Sequence, residues 1–409
     1  MLPVADARAR LLDLMRPTPP ETVSVASAAG RVVAAPIHAR LDQPPYAVSA
    51  MDGYAVRAAD VAACPAHLTV VAATAAGDPP AGAIAGGEAV RIFTGAPVPP
   101  GADTIVLQED TGREGGRVTV HQGRPEGSWV RPAGLDFAEG DAGPPVGRRL
   151  TARDVGVIAA MNHPWVRVRR RPRVAVIATG DEVVLPGEPK RSEQIISSNS
   201  VALASFVEAQ GCDAVNLGIA ADTPEALGAR LDAAAGCDLV LTIGGASAGD
   251  HDHVRSVLDA KGADLAFWKI AMRPGKPLMV ARLGGTPVIG LPGNPVSVLV
   301  CAHVLVHPAL DVLSGGAGDG PPATTAVLGA DVGGNGPRRD HMRARLHRDP
   351  EGTLVATPFS GQDSAMLRTL ADADGLIVRA PHADAAPAGT PVTVLPLDGG
   401  DLDRTGGAV

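Results

Sequence analysis

The chain has 409 residues, too many for one ordinary hydrophobic core, so two to four domains are expected. Its 36 Lys and Arg against 44 Asp and Glu leave a net charge of −8. That excludes a general nucleic-acid or membrane-surface binder, which needs a broad positive field, so any anion site must be local. Glycine (49) and proline (37) are plentiful, but 45% of the residues are apolar, and Gly and Pro punctuate β-branched runs. The chain therefore reads as folded and turn-rich. It carries no uninterrupted apolar run of about 18 residues, as a membrane span requires. The first residues, "MLPVADARARLLDLM", are amphipathic with an early acid, unlike a signal peptide. Cys64, Cys212, Cys237 and Cys301 lie far apart without a CxxC, which indicates neither a zinc site nor a disulfide scaffold. A cytoplasmic location is expected.

Taken in order, residues 4–15 place Val4, Ala7, Leu11, Leu12 and Leu14 at near-helical spacing, predicting an opening helix. From there to about residue 168 the texture is short β runs broken by turns, such as "HLTVVAATAAG" and "DTIVLQED", which suits more than one β-rich module. Around residue 173 strands and helices begin to alternate. "RVAVIATG" reads as a buried strand, "NSVALASFVEAQG" as a helix stopped by Gly211, and "DAVNLGIA" as a strand. The same pattern continues through "TPEALGARLDAAAG", "DLVLTIGG", "HVRSVLDAKG" and "DLAFWKIA" to a long buried helix beginning "PVSVLVCAH". Such alternation means an α/β domain with a mostly parallel sheet covered on both faces. After the linker "SGGAGDGPP", short β runs return and predict a small barrel-like domain, followed by a tail at 401–409. The run "RVRRRPR" (167–173) precedes a domain without any Gly cradle and reads as a solvated strand and hinge.

In an open parallel sheet, ligands collect outside the carboxyl ends of the strands. Three turns fall there. "ATGDEV" brings Asp181 and Glu182 to a strand end. "TIGGASAGDHD" surrounds Ser247 with Gly244, Gly245 and Gly249, whose N–H groups suit an oxyanion. "GLPGNPVS" carries Pro292, and Pro295 fits the first turn of a helix whose free N–H groups face the same side. Asp222 in "ADTPEAL" suits a helix cap with Glu225 as its partner. Asp250 and Asp252 have the hard oxygens magnesium prefers. His251 and His253 suit neither strand nor helix spacing for zinc and read as surface residues. "KIAMRPGKP" gathers Lys269, Arg273 and Lys276 on a stiff Pro-Gly segment. Its bland reading is a solvated rim; its functional reading is a phosphate or other oxyanion site. "SAMDGYAV" and "RPAGLDFAEGD" carry Asp52 and Asp136 in what could equally be plain turns.

These segments, with "RIFTGAPVP" and "FWKIAMRPGKP", occur in an order that resembles the molybdopterin molybdenumtransferase family, MoeA in bacteria and the gephyrin E domain in animals. The resemblance spans essentially the whole chain. It implies an elongated homodimer with four domains per subunit: a discontinuous N-terminal module at 1–40 and 137–168, a β-rich domain at 41–136, a MogA-like three-layer α/β domain at 169–316 and a C-terminal β-barrel at 317–409. It implies insertion of molybdate into adenylylated molybdopterin with release of AMP and dependence on Mg2+. The cleft would lie between the α/β domain of one subunit and the N-terminal β module of the other. Carried over residue by residue, the catalytic set is Asp52, Thr94, Asp136, Glu182, Asp222 and Asp252. Glu182, Asp222 and Asp252 would hold the metal. Gly244, Gly245, Ser247, Gly249, Lys269, Arg273, Lys276, Pro292, Pro295 and Ser364 would contact substrate, the cations meeting molybdate or the phosphates.

Partners implied are a second copy of the chain, a molybdopterin adenylyltransferase and downstream cofactor-handling proteins, with no nucleic acid or membrane. The family usually reads "PPFDNSAMDGYA", whereas Ala47 and Val48 here replace the Asp-Asn pair. Arg273 stands where some members have lysine. Two other readings are a catalytically altered paralogue serving as a dimeric scaffold and a molybdopterin adenylyltransferase.

Overall fold

A computed structural model of the chain describes residues 1–245, 253–320 and 322–397. Its centre is a six-stranded sheet in the order Asp213–Ala220, Arg173–Thr179, Leu239–Ile243, Thr286–Leu291, Met279–Leu283, Asp264–Trp268. The first four strands are parallel neighbours; Met279–Leu283 runs against both of its own. The expected mostly parallel sheet is present. Period-2 alternation explains its layering. Val174 and Val176 point into one apolar cluster with helix Ser198–Ala209 and the long helical run Pro295–Leu313. Ala175 and Ile177 point into another with helices Pro224–Ala233 and His253–Ala260.

Pro295–Leu313 is apolar and long enough to cross a membrane, but most of it is buried here, so it is the core helix of this layer. A short π-helical stretch, Ala302–Val306, interrupts it.

The opening helix forms at Val4–Leu12. Its Val4, Ala7 and Leu11, with Met15, join the α/β core, and Leu2 bridges Ile270. Residues 1–15 thus pack away from the discontinuous module to which the sequence reading assigned them, because their apolar stripe fits the helix layer. That module is built instead from strand Pro20–Ser24 against Trp165–Arg169, helix Ala152–Ala160 and a core of Ala28, Val33, Ile37, Leu150, Ile158, Val166 and Val168. Thr151 caps the helix in a reciprocal box with Asp154. Arg170, in the basic run, ion-pairs with Asp238 at 2.7 Å and ties this hinge to the α/β domain.

Between the module's two halves lies a six-stranded mixed sheet that includes Gly53–Val56, Ala66–Thr74, Glu88–Ile92 and Thr104–Leu107. Val48–Ser49 pairs with Val130–Arg131 in a separate two-stranded ribbon. The C-terminal strands Thr324–Leu328, Arg339–Arg348, Leu354–Pro358, Gly375–Arg379 and Pro391–Pro396 close into a five-stranded barrel. Met272–Arg273 adds to its strand Arg339–Arg348 in parallel, so the cationic loop of the α/β domain becomes part of the barrel's sheet.

Candidate functional site

Strand direction gathers the loops that the sequence singled out. The chain leaves strand Arg173–Thr179 towards one neighbour and later returns to its other side, so the crevice beyond Thr179 and Ile243 is the topological switch point of the sheet. Gly244 has φ of 88°, and a Cβ there would sit 2.9 Å from Thr179 Oγ1; Gly245 has φ of 63° and faces Val254 at 2.7 Å. Only glycine fits either position. The Gly244 N–H donates to the Leu291 carbonyl at 3.1 Å, continuing the sheet, so it is not one of the free donors expected for an oxyanion. Ser247, Gly249, Asp250, His251 and Asp252 lie outside the described residues.

At the same edge Asp181 and Asp222 lock the ends of adjacent strands together. The Asp222 N–H donates to Asp181 Oδ1 at 3.1 Å, and the Asp181 N–H donates to Asp222 Oδ2 at 3.4 Å. Glu182 is exposed, and its carboxylate folds back over Gly180 where a Cβ would otherwise sit. The cap of helix Pro224–Ala233 is Thr223, whose hydroxyl accepts from Ala226 N–H at 3.2 Å. The capping role considered for Asp222 therefore falls to its neighbour, leaving Asp222 at the strand edge. Among the described residues no three His, Cys, Asp or Glu groups converge as a metal cluster. Magnesium needs only one or two carboxylates beside water and phosphate oxygens, and Asp181, Glu182 and Asp222 supply suitable hard donors.

The three cations part company. Lys269 takes a left-handed backbone (φ 64°), uncommon for a residue with a Cβ, and its Nζ lies 3.7 Å from the Trp268 ring centroid. It follows the edge strand Asp264–Trp268, at the carboxyl edge of the sheet. Arg273 and Lys276 instead line a cavity of about 320 Å³ between the α/β domain and the barrel. Gly275 allows the loop its shape: φ is 114°, and a Cβ would overlap Cys301 Sγ.

Arg338, Asp340, His341, Arg343, Gln362, Asp363 and Ser364 complete the barrel side of this cavity, and Asn294 and Ser297 the helix side. Arg273 meets Asp340 at 3.5 Å, while burial pushes the Asp340 carboxyl up against that pull. Arg343 is 1% exposed and lacks a carboxylate partner among the described residues. It donates to the carbonyls of Asp363 (2.9 Å), Met366 (3.3 Å) and Gly361 (3.4 Å), shaping the loop that carries Ser364. His341 is also 1% exposed, and neither ring nitrogen makes a hydrogen bond of good geometry. Burial pushes its imidazole down to about 3, Arg339 adding to the shift and the backbone of Arg273 opposing it.

Ser364 docks on the start of helix Pro295–Cys301. Its carbonyl accepts from Val296 N–H at 3.1 Å, and its hydroxyl accepts from Asn294 Nδ2 at 3.0 Å. This corrects the expectation of free N–H groups at that helix start, because the barrel loop satisfies one of them. Pro295 is the first helical residue as expected, and Pro292 is buried beneath the turn. The sequence reading missed Arg338, Asp340, His341, Arg343, Asn294 and Ser297. Alternation along Arg339–Arg348 puts His341 and Arg343 on one face, a signal visible beforehand.

Asp52 and Thr94 sit on the N-terminal β module. Thr94 donates to Asp52 Oδ1 through its N–H (2.8 Å) and its hydroxyl (2.7 Å), and these bonds hold the carboxyl below its ordinary range. Asp136 is exposed beside Gln43, at the opposite end of the ribbon that begins near Asp52. Among the described residues no hydrogen bond or ion pair links these three to the α/β edge. Val48 is 7% exposed and pairs with Arg131, so it fills the ribbon rather than facing Asp52.

The sequence matches the MoeA N-terminal region (domain I and II) over 2–162, a probable molybdopterin binding domain over 175–312 and the MoeA C-terminal region (domain IV) over 325–397. It is 40% identical to a molybdopterin molybdenumtransferase of Nostoc over 336 residues, covering 80% of this chain and 77% of that protein. The chain belongs to the molybdopterin molybdenumtransferase (MoeA) family. It is also 37% identical over 396 residues to molybdopterin molybdenumtransferase 2 of Mycobacterium tuberculosis, covering 94% of this chain and 97% of that one. A MoeA crystal structure from Pyrococcus superposes with a TM-score of 0.84 at 30% identity, covering 98% of this chain and all of the other. Its fold is therefore that of MoeA, with the α/β domain between N-terminal β modules and a closed barrel.

Proposed function

We propose that this enzyme is a molybdopterin molybdenumtransferase of molybdenum cofactor biosynthesis, acting on adenylylated molybdopterin and molybdate and releasing AMP. The observation that carries this reading is the pairing of two separate cationic features in a chain that matches the family along most of its length. The cavity of Arg273, Lys276, Arg338 and Arg343 suits a compact oxyanion, because it is small, its cations outnumber the carboxylates of Asp340 and Asp363, and it has a guanidinium fixed in place before any ligand arrives. We assign molybdate to it. Lys269, at the sheet edge with Gly245 and the carboxylates, suits the pyrophosphate of the other substrate. Magnesium, held by Glu182 and Asp222 with Asp252, would offset the charge of that pyrophosphate. Lys269 orients the phosphates, Thr94 fixes the Asp52 carboxylate in place, and Ser364 fixes the barrel loop against the helix that backs the oxyanion.

Asp52, Thr94 and Asp136 belong to the same site if a second copy of the chain presents its β module to this cleft, so the working unit is proposed to be a homodimer. The domain division proposed is the one given by the sequence, with residues 1–15 moved to the α/β domain. A cytoplasmic location and an upstream adenylyltransferase are part of the same proposal. Retention of Asp52, Thr94, Glu182, Asp222 and Lys269 favours an active enzyme over a scaffold. The test is AMP release from purified protein given adenylylated molybdopterin, magnesium and molybdate, with each omitted in turn. Release that needs molybdate and vanishes in Glu182→Ala is the expected result; tight substrate binding without AMP would overturn it.

A further inference from the structure

Beside Asp52 lies an exposed group of large apolar side chains. Met51, Phe93 and Trp129 are 38%, 39% and 43% exposed. The ribbon brings their backbones together: Ala50 N–H donates to the Trp129 carbonyl and Gly95 N–H to the Ser49 carbonyl, both at 2.8 Å. Trp129 has φ of 59°, a conformation that bulky residues rarely keep without a reason. Phe93 is stiffened by Arg91, whose Cζ lies 4.7 Å from its ring centroid and 5.2 Å from that of buried Tyr54. The guanidinium cannot swing away, since it donates to the Gly53 carbonyl at 2.9 Å and to Gln108 Oε1 at 2.6 Å. Asp52 completes the group. Its Oδ1 is taken twice by Thr94, and its Oδ2 carries no hydrogen bond among the described residues.

We propose that this is the seat of the substrate's pterin ring, with Phe93 stacking on the aminopyrimidinone and Asp52 Oδ2 accepting from an N–H of its edge. The proposal rests on the molybdenumtransferase reading. A flat heterocycle needs a rigid π surface, which a ring pinned by a fixed guanidinium provides at little entropic cost. The pterin edge presents two adjacent donors, N3–H and the 2-amino group, and an ionised carboxylate is the matching acceptor. Adenine, the other planar end of an adenylylated substrate, places the acceptor N1 beside its amino group, so it meets the same carboxylate with a lone pair. The β module then selects the pterin end, leaving the phosphates to the α/β edge.

The test uses the full-length protein and 6-hydroxymethylpterin, whose fluorescence reports binding, with AMP as the comparison ligand. Wild type should bind the pterin. Phe93→Ala and Phe93→Leu should each lose about tenfold in pterin affinity, the size expected from one stacking contact, while AMP affinity is unchanged. Phe93→Tyr should bind as wild type does, and Asp52→Asn should weaken pterin binding alone. Because Phe93 is exposed, its variants should keep the wild-type melting temperature. Absence of pterin binding in wild type, unchanged affinity in Phe93→Leu, or an equal loss for AMP would each overturn the proposal. Turnover is read separately: a wild type that binds pterin but releases no AMP would sink the transferase reading and leave the pterin seat standing.

Discussion

Gly275→Ala tests how the cationic loop is held, and its cost can be worked out from two independent sources. The backbone φ of 114° lies where residues with a Cβ are strained, at about 1–3 kcal/mol. The added methyl would also overlap Cys301 Sγ, whereas its next neighbours, Met272 Sδ and Cε, lie at 3.6 Å, an ordinary contact. Overpacking against a fully buried side chain costs a further ~1–3 kcal/mol, so Gly275→Ala should lose roughly 2–6 kcal/mol in all. Cys301→Ala alone should cost about 1–2 kcal/mol, because it removes a buried sulfur. In the double variant the overlap disappears and the backbone strain stays. The two losses should therefore fail to add, by about 1–3 kcal/mol in the stabilising direction. Urea unfolding of the four proteins, followed by tryptophan fluorescence, measures that coupling. Molybdate affinity, read by equilibrium dialysis, should fall in Gly275→Ala and partly recover in the double variant, since Arg273 and Lys276 flank the residue. Strictly additive stabilities would refute the overlap argument, and an undisturbed single variant would refute both parts.

Three other outcomes follow from groups elsewhere in the fold. His341 is neutral in the fold, pushed down to about 3 from an ordinary 6.5, so the unfolded chain takes up its proton first and stability falls as pH drops below 6.5. His341→Phe should raise stability at pH 7 by ~1–3 kcal/mol by removing unpaired buried nitrogens. It should also flatten the acid slope by up to about 1.4 kcal/mol per pH unit; urea midpoints at pH 7, 6 and 5 that keep the wild-type slope would contradict this. Thr94→Val removes one of the two bonds holding Asp52 ionised, so the acid limb of pterin binding should move to higher pH, as a titration with 6-hydroxymethylpterin would reveal. Thr223→Ala deletes a helix cap and should cost about 1 kcal/mol, whereas Asp222→Asn should leave that helix intact; the reverse order of losses would restore the cap to Asp222.

The fold was legible where the pattern was local. Strand–helix alternation from residue 173 onward, the stop at Gly211 and the turn glycines Gly244 and Gly245 each follow from a few neighbouring residues and appear where the pattern puts them. The opening helix was visible too, but its packing partner was not. An apolar stripe says that a helix must be covered and nothing about which domain covers it. The cation cluster shows the same limit. Three charges within nine residues read as one site, yet a left-handed Lys269 and a glycine bend at Gly275 turn them towards two different places.

The deepest miss, Arg343, has a physical cause that also bears on function. A buried cation in a strand looks like a fault in the hydrophobic pattern until a distant loop supplies its acceptors. Here the direct acceptors are carbonyls at 361–366, Asp363 and Asp340 offset part of the charge from a distance, and the barrel brings this cation to the cavity it shares with Arg273 and Lys276. A carboxylate partner would have made Arg343 a structural ion pair. Neutral direct acceptors leave part of its charge uncompensated, with Asp363 and Asp340 offsetting the rest. The same loop offers Ser364 to the helix start, so the side chain that shapes the loop also fixes the wall of the cavity it lines.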